Sequence, residues 1–238
     1  MVIPAFNEEA LLPALLESVE VARSRYARGA SAVEVVVADN ASTDRTARLA
    51  ADRGARVVRV EKRAIAAARN AGGRAARGEV LAFVDADSVI HPETFNAIDV
   101  TLARPGVVVG ATGAIPSRWS PALVLTVAVM GTIAWLARMD TGVVFCLRDD
   151  WEAVGGYDES LLAAEDVRIL SSLKRHGRRT SRRFRRARGA RTVTSTRKFD
   201  KYGDWHFLAG MLKAVVFYAL RRPAYERLVR RYWYEDRS

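Results

Sequence analysis

The sequence predicts an α/β fold in which helices flank a mostly parallel central sheet. Over the first hundred residues, short apolar runs alternate with segments of helical periodicity, as in repeated βα units. Residues 33–38 are almost continuously apolar and rich in valine, which is typical of a strand buried on both faces. Asp39 and Asp85 each follow such a run, so the pattern predicts acidic residues at two equivalent strand ends.

Each element of this region has its own signal. Ser42, Thr43 and Asp44 are favoured helix N-cap residues, the sequence from 64 to 77 is rich in alanine, and Gly78 interrupts it. The predicted strands are 2–3, 33–38, 56–60 and 80–84, and the predicted helices are 9–26, 42–53 and 64–77. Ligands of open parallel sheets bind beyond the carboxyl ends of the strands. We therefore expect a site where four loops meet, which begin at Pro4, Asp39, Glu61 and Asp85.

The pattern changes after residue 101. Residues 107–110 and 142–146 have the character of strands, and an apolar stretch at 122–137 lies between them. This stretch falls short of the ~20 apolar residues that a bilayer span needs. It is predicted to be a buried or interfacial helix.

Composition excludes several classes of protein. The chain has 238 residues, of which 50% are apolar and 27% charged, so it is neither disordered nor fibrous. Cys146 is the single cysteine, which excludes a disulfide scaffold. The first residues do not have the pattern of a signal peptide. These features predict a cytoplasmic protein.

The positive charge is concentrated in one segment. Of the 38 Lys and Arg residues, 13 lie between 167 and 199, where there is no acidic residue. The densest part, 174–191, contains Phe184 as its one aromatic residue, which argues against nucleic acid binding. A solvated basic face and attraction to an anionic lipid or a polyprenyl-phosphate acceptor both stay open. The apolar segment 207–218 is predicted to pack, with membrane contact as the alternative.

Three acidic motifs have the residue types of a catalytic site. In an extended segment, Asp85 and Asp87 would point the same way and face one divalent cation, whose shell a substrate diphosphate would complete. Asp39 could bind a base or ribose. Asp166, beside Glu165 at a predicted helix start, could act as general base. The alternatives are a solvated turn, an ordinary Asx-turn and an acid favoured by the helix dipole.

Six motifs follow one another in an order that resembles a known family. They are VIPAFNEE at 2–9, VVADNASTD at 36–44, ARNAG at 68–72, FVDAD at 83–87, GGYDE at 155–159 and ED at 165–166. Together they resemble the inverting nucleotide-sugar glycosyltransferases of family 2, whose fold is the Rossmann-like GT-A fold. The resemblance extends to about residue 177.

The resemblance implies a role for each motif. Asp87 would bind Mn²⁺ or Mg²⁺, Asp85 would contact ribose or a water of the cation, and Asp166 would be the catalytic base. His206 could complete the metal shell, although a lone histidine is more often packed or solvated. The residues implied for the nucleotide are Pro4, Ala5, Asn7, Glu8, Asp39, Arg69, Asp85 and Ala86. Those implied for the acceptor or diphosphate are Gly142, Glu165, Arg197 and Lys198, with plain surface charge as the alternative for the last two.

The resemblance also implies an activity and a division of the chain. The expected reaction is metal-dependent, inverting and non-processive transfer of a sugar, with a UDP-sugar favoured as donor, to an acceptor hydroxyl or phosphate. Residues 1–110 would form the nucleotide-sugar half, 111–200 the acceptor-side half and 201–238 a helical tail. A retaining GT-A transferase and a non-catalytic anion- or membrane-binding module are the alternatives. Peripheral contact with the inner face of a membrane and a homo-oligomer also stay open.

Overall fold

The fold is described from a computed structural model, which covers residues 1–161 and 164–208. A 3₁₀ turn covers Ala30–Ala32. The strands are β1 Val2–Ala5, β2 Val36–Asp39, β3 Arg56–Arg59, β4 Val80–Phe83, β5 Ser88–Val89, β6 Val107–Ala111, β7 Ala114–Pro116, β8 Val144–Leu147, β9 Arg183–Arg186 and β10 Thr192–Thr194. The helices are α1 Leu12–Ser24, α2 Thr46–Asp52, α3 Ile65–Ala75, α4 Thr94–Leu102, α5 Pro121–Leu136, α6 Arg148–Ala153, α7 Glu165–Arg178 and α8 Arg197–Tyr202.

Seven strands form the central sheet in the order β3-β2-β1-β4-β8-β6-β9. The pairings of β1 with β2 and β4, of β2 with β3, and of β6 with β9 are parallel. Strand β8 runs antiparallel to both of its neighbours, β4 and β6. The predicted mostly parallel α/β fold is therefore confirmed. Strands from residues 1–110 and 111–200 share this one sheet.

The core lies on both faces of the central sheet, because neighbouring strand residues point to opposite sides. Ile3 packs on one face with Leu15 from α1. Val2 packs on the other face with Trp151 from α6 and Leu173 from α7. All five side chains are buried, so the sheet is covered on both sides and its strand ends are held in place.

Helix α5 differs from the sequence-based expectation. The helix is present at the predicted place, but within it Ala122, Leu123 and Thr126 are the buried residues. The prediction that it is buried in the core is therefore wrong, because within residues 1–161 and 164–208 no other element packs along most of its length. The interfacial alternative stays open. In the described part of the chain, no helix has the length and apolar content needed to cross a membrane.

A small second sheet stands beside the main one, in the order β5-β10-β7. Strand β10 pairs in parallel with β7 and antiparallel with β5, and α8 follows it directly. After the basic segment, the chain thus returns along β10 toward the carboxyl end of β4. The predicted tail at 201–238, with its apolar segment 207–218, lies outside the described residues from 209 onward.

Candidate active site

The candidate site lies at the carboxyl ends of β1, β2 and β4. In the sheet register, Ala5 pairs with Asp39 and Pro4 with Ala38, so the first two strands end side by side. Strand β1 also pairs with β4, which leads into the turn that contains Asp85. The predicted strand-end residues are therefore brought to one edge of the sheet.

The loops after β1 and β2 are joined by hydrogen bonds. The backbone N–H of Asn7, which has a φ of 51°, donates to Ser42 Oγ at 3.0 Å. In return, the N–H of Thr43 donates to Asn7 Oδ1 at 2.9 Å. Of the predicted N-cap residues, Ser42 and Thr43 bond the first loop instead, whereas Asp44 Oδ1 accepts from the N–H of Thr46 at 2.9 Å, where α2 begins. Asp39 lies buried beneath this contact.

The segment Asp85-Ala86-Asp87 forms a turn, which was the alternative to the extended segment that was predicted. The N–H of Ser88 donates to the carbonyl of Asp85 at 3.1 Å, and this closes the turn around the buried Ala86. The two carboxylates consequently meet different arginines. Asp85 lies 2.7 Å from Arg69, and Asp87 lies 3.5 Å from Arg197.

Arg69 brings three carboxylates together. Its side chain is only 5% exposed, and its guanidinium lies 2.7 Å from Asp85, 2.8 Å from Glu165 and 2.6 Å from Asp166. Tyr157 lies beneath it, with the ring centre 5.2 Å from the guanidinium carbon. Burial opposes the positive charge, but the surrounding carboxylates prevail and raise the pKa of Arg69. The arrangement holds the predicted base next to the strand-end acid.

Asp166 occupies the first turn of α7, as predicted. Ala164, with a φ of 62°, turns the chain immediately before the helix begins at Glu165. The Asp166 side chain is 44% exposed, but the partial loss of water around its carboxyl raises its pKa to about 7, with Arg69 acting in the opposite direction and Asp85 and Glu165 adding to the rise. A carboxyl group with this pKa can accept a proton near neutral pH.

Arg197 connects the C-terminal region to the first loop. The N–H of Ser195 donates to the carbonyl of Asp87 at 3.0 Å, which places the start of α8 over the site. Arg197 then donates two hydrogen bonds to the buried carboxylate of Glu8, at 2.6 and 2.5 Å. Lys198 follows it in the first turn of α8 and is half-buried. Positive charge therefore stands beside both Glu8 and Asp87.

Gly142 and His206 take different places relative to this edge. Gly142 precedes β8, whose Val144 pairs with Phe83, so it lies near the end of β4. Its φ is +81°, and a Cβ there would come within 2.6 Å of the Gly113 carbonyl. His206 Nδ1 lies 2.7 Å from the carbonyl of Gly203, and its ring packs against Phe199.

The chemistry of the donor set decides whether a divalent cation fits. Across residues 1–161 and 164–208, no three His, Cys, Asp or Glu side chains come close enough together to hold a metal ion. His206 is therefore not brought together with both predicted carboxylates. Asp85 and Asp87 nevertheless supply oxygen ligands, and Mg²⁺ commonly takes only one or two carboxylates, with water and substrate phosphates completing its shell. These residue types suit a cation that arrives with a diphosphate, although in this structure the two carboxylates pair with different arginines.

Sequence reasoning missed the residue that holds the loop beneath Arg69. Asn70 donates to the Tyr157 carbonyl at 2.8 Å and to Glu159 Oε1 at 2.9 Å, and it accepts from the Tyr157 N–H at 2.8 Å. Both partners belong to the GGYDE motif, whereas Asn70 belongs to the ARNAG motif. The two motifs were recognised separately, but no local signal indicates that they touch.

Comparisons with known proteins agree with this fold. Among solved structures, the mannosyltransferase PcManGT from Pyrobaculum calidifontis, in complex with GDP-Man and Mn²⁺, is 24% identical over 81% of this chain and 55% of its own, with a TM-score of 0.63. Residues 1–349 of TarS from S. aureus, in complex with UDP-GlcNAc, are 19% identical over 82% and 57%, with a TM-score of 0.60. The chain thus spans little more than half of either structure, and the likeness confirms the GT-A fold.

A third structure and the family model complete the comparison. Glucosyl-3-phosphoglycerate synthase from Mycobacterium tuberculosis, in complex with Mn²⁺, UDP and glucosyl-3-phosphoglycerate, is 19% identical over 82% of this chain and 68% of its own, with a TM-score of 0.53. A search of the curated proteins finds no match. The model of glycosyl transferase family 2 matches residues 1–121, which is half of the sequence. The chain belongs to glycosyl transferase family 2.

Proposed function

We propose that the protein transfers a sugar from a nucleotide-diphosphate donor to a hydroxyl or phosphate group of an acceptor, one sugar at a time. The observation that carries this proposal is the gathering of Asp85 and Asp166 by the buried Arg69 at the carboxyl edge of the sheet. The residue that we propose as the base would thereby be held beside the edge where an α/β fold binds nucleotides.

The donor that we favour is a UDP-sugar. TarS and the M. tuberculosis synthase were solved with UDP-GlcNAc and with UDP, which supports this choice, whereas PcManGT was solved with GDP-Man. The nucleotide would lie against Pro4, Ala5 and Ala86. Asn7 would donate or accept hydrogen bonds with the base or ribose, and the buried carboxylate of Asp39 would accept them. Glu8 would orient Arg197 at the same edge.

A divalent cation belongs to the proposal. Asp87 would hold Mn²⁺ or Mg²⁺, and Asp85 would contact the ribose or the hydration shell. The presence of Mn²⁺ in the structures of PcManGT and the M. tuberculosis synthase supports this assignment. The bound cation would stabilise the negative charge that develops on the leaving diphosphate. We leave His206 out of the cation site, because its ring contacts Gly203 and Phe199.

The protein's own residues carry the remaining steps. Asp166 would accept the proton of the acceptor hydroxyl while the acceptor oxygen attacks the anomeric carbon from the face opposite the diphosphate. This single in-line displacement inverts the anomeric centre. Arg69 keeps Asp166 and Glu165 in place, and Arg197 and Lys198 would offer positive charge to the departing diphosphate. The acceptor would enter from the side of α7 and Gly142, and its class is a lipid-linked group, a saccharide or a small metabolite.

A thermal-shift screen tests the donor and cation together. UDP, GDP, dTDP and their common sugar conjugates would each be added with Mn²⁺, with Mg²⁺ or with EDTA. At ~100 times its dissociation constant, a ligand adds about 2.7 kcal/mol to the free energy of unfolding. We expect a shift with UDP or a UDP-sugar that EDTA removes. Equal melting temperatures throughout the panel would contradict the proposal and favour a non-catalytic module.

A further inference from the structure

Helix α5 presents apolar side chains to solvent over most of its length. The sequence from Pro121 to Leu136 contains no charged residue. Trp135 is 71% exposed and Leu136 is 69% exposed. The other large apolar side chains that the helix exposes are Val124, Leu125, Met130 and Ile133. A contiguous exposed apolar surface of this kind marks an interaction site rather than ordinary surface.

Three cations stand at the carboxyl end of this helix. Lys174 of α7 donates to the carbonyl of Ala137, the residue that follows α5, at 2.5 Å. Burial lowers the pKa of Lys174, and the nearby charges of Arg178 and Arg138 lower it further. The three side chains are thus close enough to repel one another. Anions brought to this place would relieve the repulsion.

Both ends of α5 are fixed to elements of the candidate site. Just before the amino end of α5, Arg118 donates to Asp200 at 2.7 Å and to Asp204 at 2.5 Å. These bonds join the segment that leads into α5 to α8 and to the loop after α8. At the carboxyl end, the Lys174 contact joins the helix to α7, which begins beside Asp166. The exposed surface is therefore held in a defined position.

We propose that α5 docks the protein onto the surface of an anionic lipid bilayer, lying in the plane of the interface. Its 16 residues span only about 24 Å at the helical rise of 1.5 Å per residue, so it is too short to cross the hydrocarbon core. Apolar side chains would enter the boundary between headgroups and acyl chains. Trp135 would take the position that tryptophan favours at this depth, with the three cations at the phosphates.

Charge is what favours lipid over the other occupants of such a surface. The bilayer offers many anions at once beside an apolar layer, which matches an uncharged helix that ends at three cations. A second copy of the chain would bring a body of formal net charge +11 against a surface that is itself flanked by three cations. The chain's own residues 209–238 carry more Lys and Arg than Asp and Glu, so they would also add positive charge there. Docking does not rest on the proposed transfer reaction and is tested without a sugar donor.

Sedimentation with vesicles gives the first test. The full chain would be mixed with vesicles of phosphatidylcholine alone or with phosphatidylglycerol added. We expect binding only to the anionic vesicles, a loss of at least about tenfold in partitioning for Trp135→Ser/Leu136→Ser, and about a fivefold loss for Arg138→Gln. The matched control is Val21→Ser/Val100→Ser, which changes exposed apolar residues on α1 and α4 and should bind like the wild type. No binding by the wild type, or equal binding by the α5 variant, would overturn the proposal.

A fluorescent label separates lipid from protein occupants. An environment-sensitive probe would be attached to Leu136→Cys, and to Val100→Cys as the control, because Cys146 is buried and does not compete. We expect a water-like spectrum without vesicles and a blue shift on adding anionic vesicles at position 136 only. A blue shift already present without lipid would contradict docking. If that shift depends on protein concentration, a second copy covers α5, and if it does not, the chain covers the helix itself.

Discussion

At the scale of single residues, Arg69 determines the geometry of the candidate site. It is almost fully buried and it contacts Asp85, Glu165 and Asp166, of which the last two lie 96 and 97 positions along the chain. A buried cation is tolerated only when it is paired and hydrogen-bonded. The carboxylates depend on Arg69 in turn, because they lose their counter-charge if it is removed.

Replacing Arg69 by methionine tests this dependence. Breaking a buried ion pair lowers the free energy of unfolding by about 3 to 5 kcal/mol. We expect a decrease near the lower end of this range, because Asp85 and Asp166 are partly open to water. The loss should shrink at acidic pH, where the unpaired carboxylates take up protons. Urea unfolding measures it, and Arg74→Met, at an exposed position of α3, is the matched control. Equal stability of Arg69→Met and wild type would show that the pairing contributes nothing.

Replacing Asp166 by asparagine tests the base. We expect transfer, or slow donor hydrolysis if no acceptor is known, to fall by about 10²–10⁴-fold, because asparagine cannot accept the proton. Donor binding by calorimetry should stay near the wild-type value. Asp149→Asn, an exposed acid in the first turn of α6, is the control and should react like the wild type. Full activity of Asp166→Asn would remove this residue from the catalytic role.

The rate should also depend on pH through the same group. Partial loss of water around its carboxyl raises the pKa of Asp166 to about 7, so its proton-accepting form predominates only above that pH. We expect kcat/KM to fall about tenfold for each pH unit below about 7 and to be constant above it. A profile measured from about pH 5 to about pH 9 that shows no acidic limb would contradict the assignment.

At the scale of elements, the close approach of α3 to β1 holds Arg69 in position. Gly72 faces the strand, and a Cβ there would lie 2.4 Å from Val2 Cγ1 and 3.4 Å from the Ala38 side chain. Glycine is therefore required by the packing distance and not by backbone conformation. One turn along the same helix, Arg69 reaches the strand-end acids.

Gly72→Ala should consequently push α3 away from the sheet. Overpacking costs about 1–3 kcal/mol, and a shift of the helix would also weaken donor binding. Gly131→Ala is the control, because nothing lies within 4 Å of its added Cβ and alanine favours a helix by about 1 kcal/mol. Unfolding midpoints should therefore move in opposite directions for the two variants. A stabilised Gly72→Ala would contradict the packing described here.

The sequence predicted some elements and missed others for physical reasons. Strands β2 and β4 were found because strands buried on both faces are almost continuously apolar. Strand β3 was found from Val57 and Val58, although exposed arginines stand at both of its ends. Strand β9 was missed because arginine fills three of its four positions, and β5, β7 and β10 are too short to show alternation. The placement of α5 in the core was wrong because hydropathy does not reveal which neighbour covers a helix.

At the scale of the whole molecule, the basic segment has more than one role. Arg182 forms two hydrogen bonds with the buried Asp150, and Arg186 pairs with Asp140. Strand β9 closes one edge of the central sheet, where charged side chains resist pairing with another chain. The cations at the end of α7 stand instead beside α5. The sequence identified the segment but could not apportion its charges among these roles.

The sequence predicted which residues belong to the candidate site, but not which of them contact one another. Strand order brings Ala5, Asp39 and Asp85 to one edge, which the βα pattern already implied. The contacts of Arg197 with Glu8 and of Arg69 with Asp166 join residues 189 and 97 positions apart. Such contacts depend on how the two sheets and α7 are placed relative to one another, and no local sequence pattern predicts this placement.

Calorimetric titration of the nucleotide into Asp87→Ala is the most direct test of the central claim, that the acids at the sheet edge bind a donor with its cation. UDP, or the nucleotide found by thermal shift, would be titrated in Mn²⁺ into wild type, Asp87→Ala and the control Asp149→Ala. We expect affinity to fall by at least about tenfold in Asp87→Ala alone, with its unfolding transition unchanged. Binding by Asp87→Ala as tight as that of the wild type would contradict the claim.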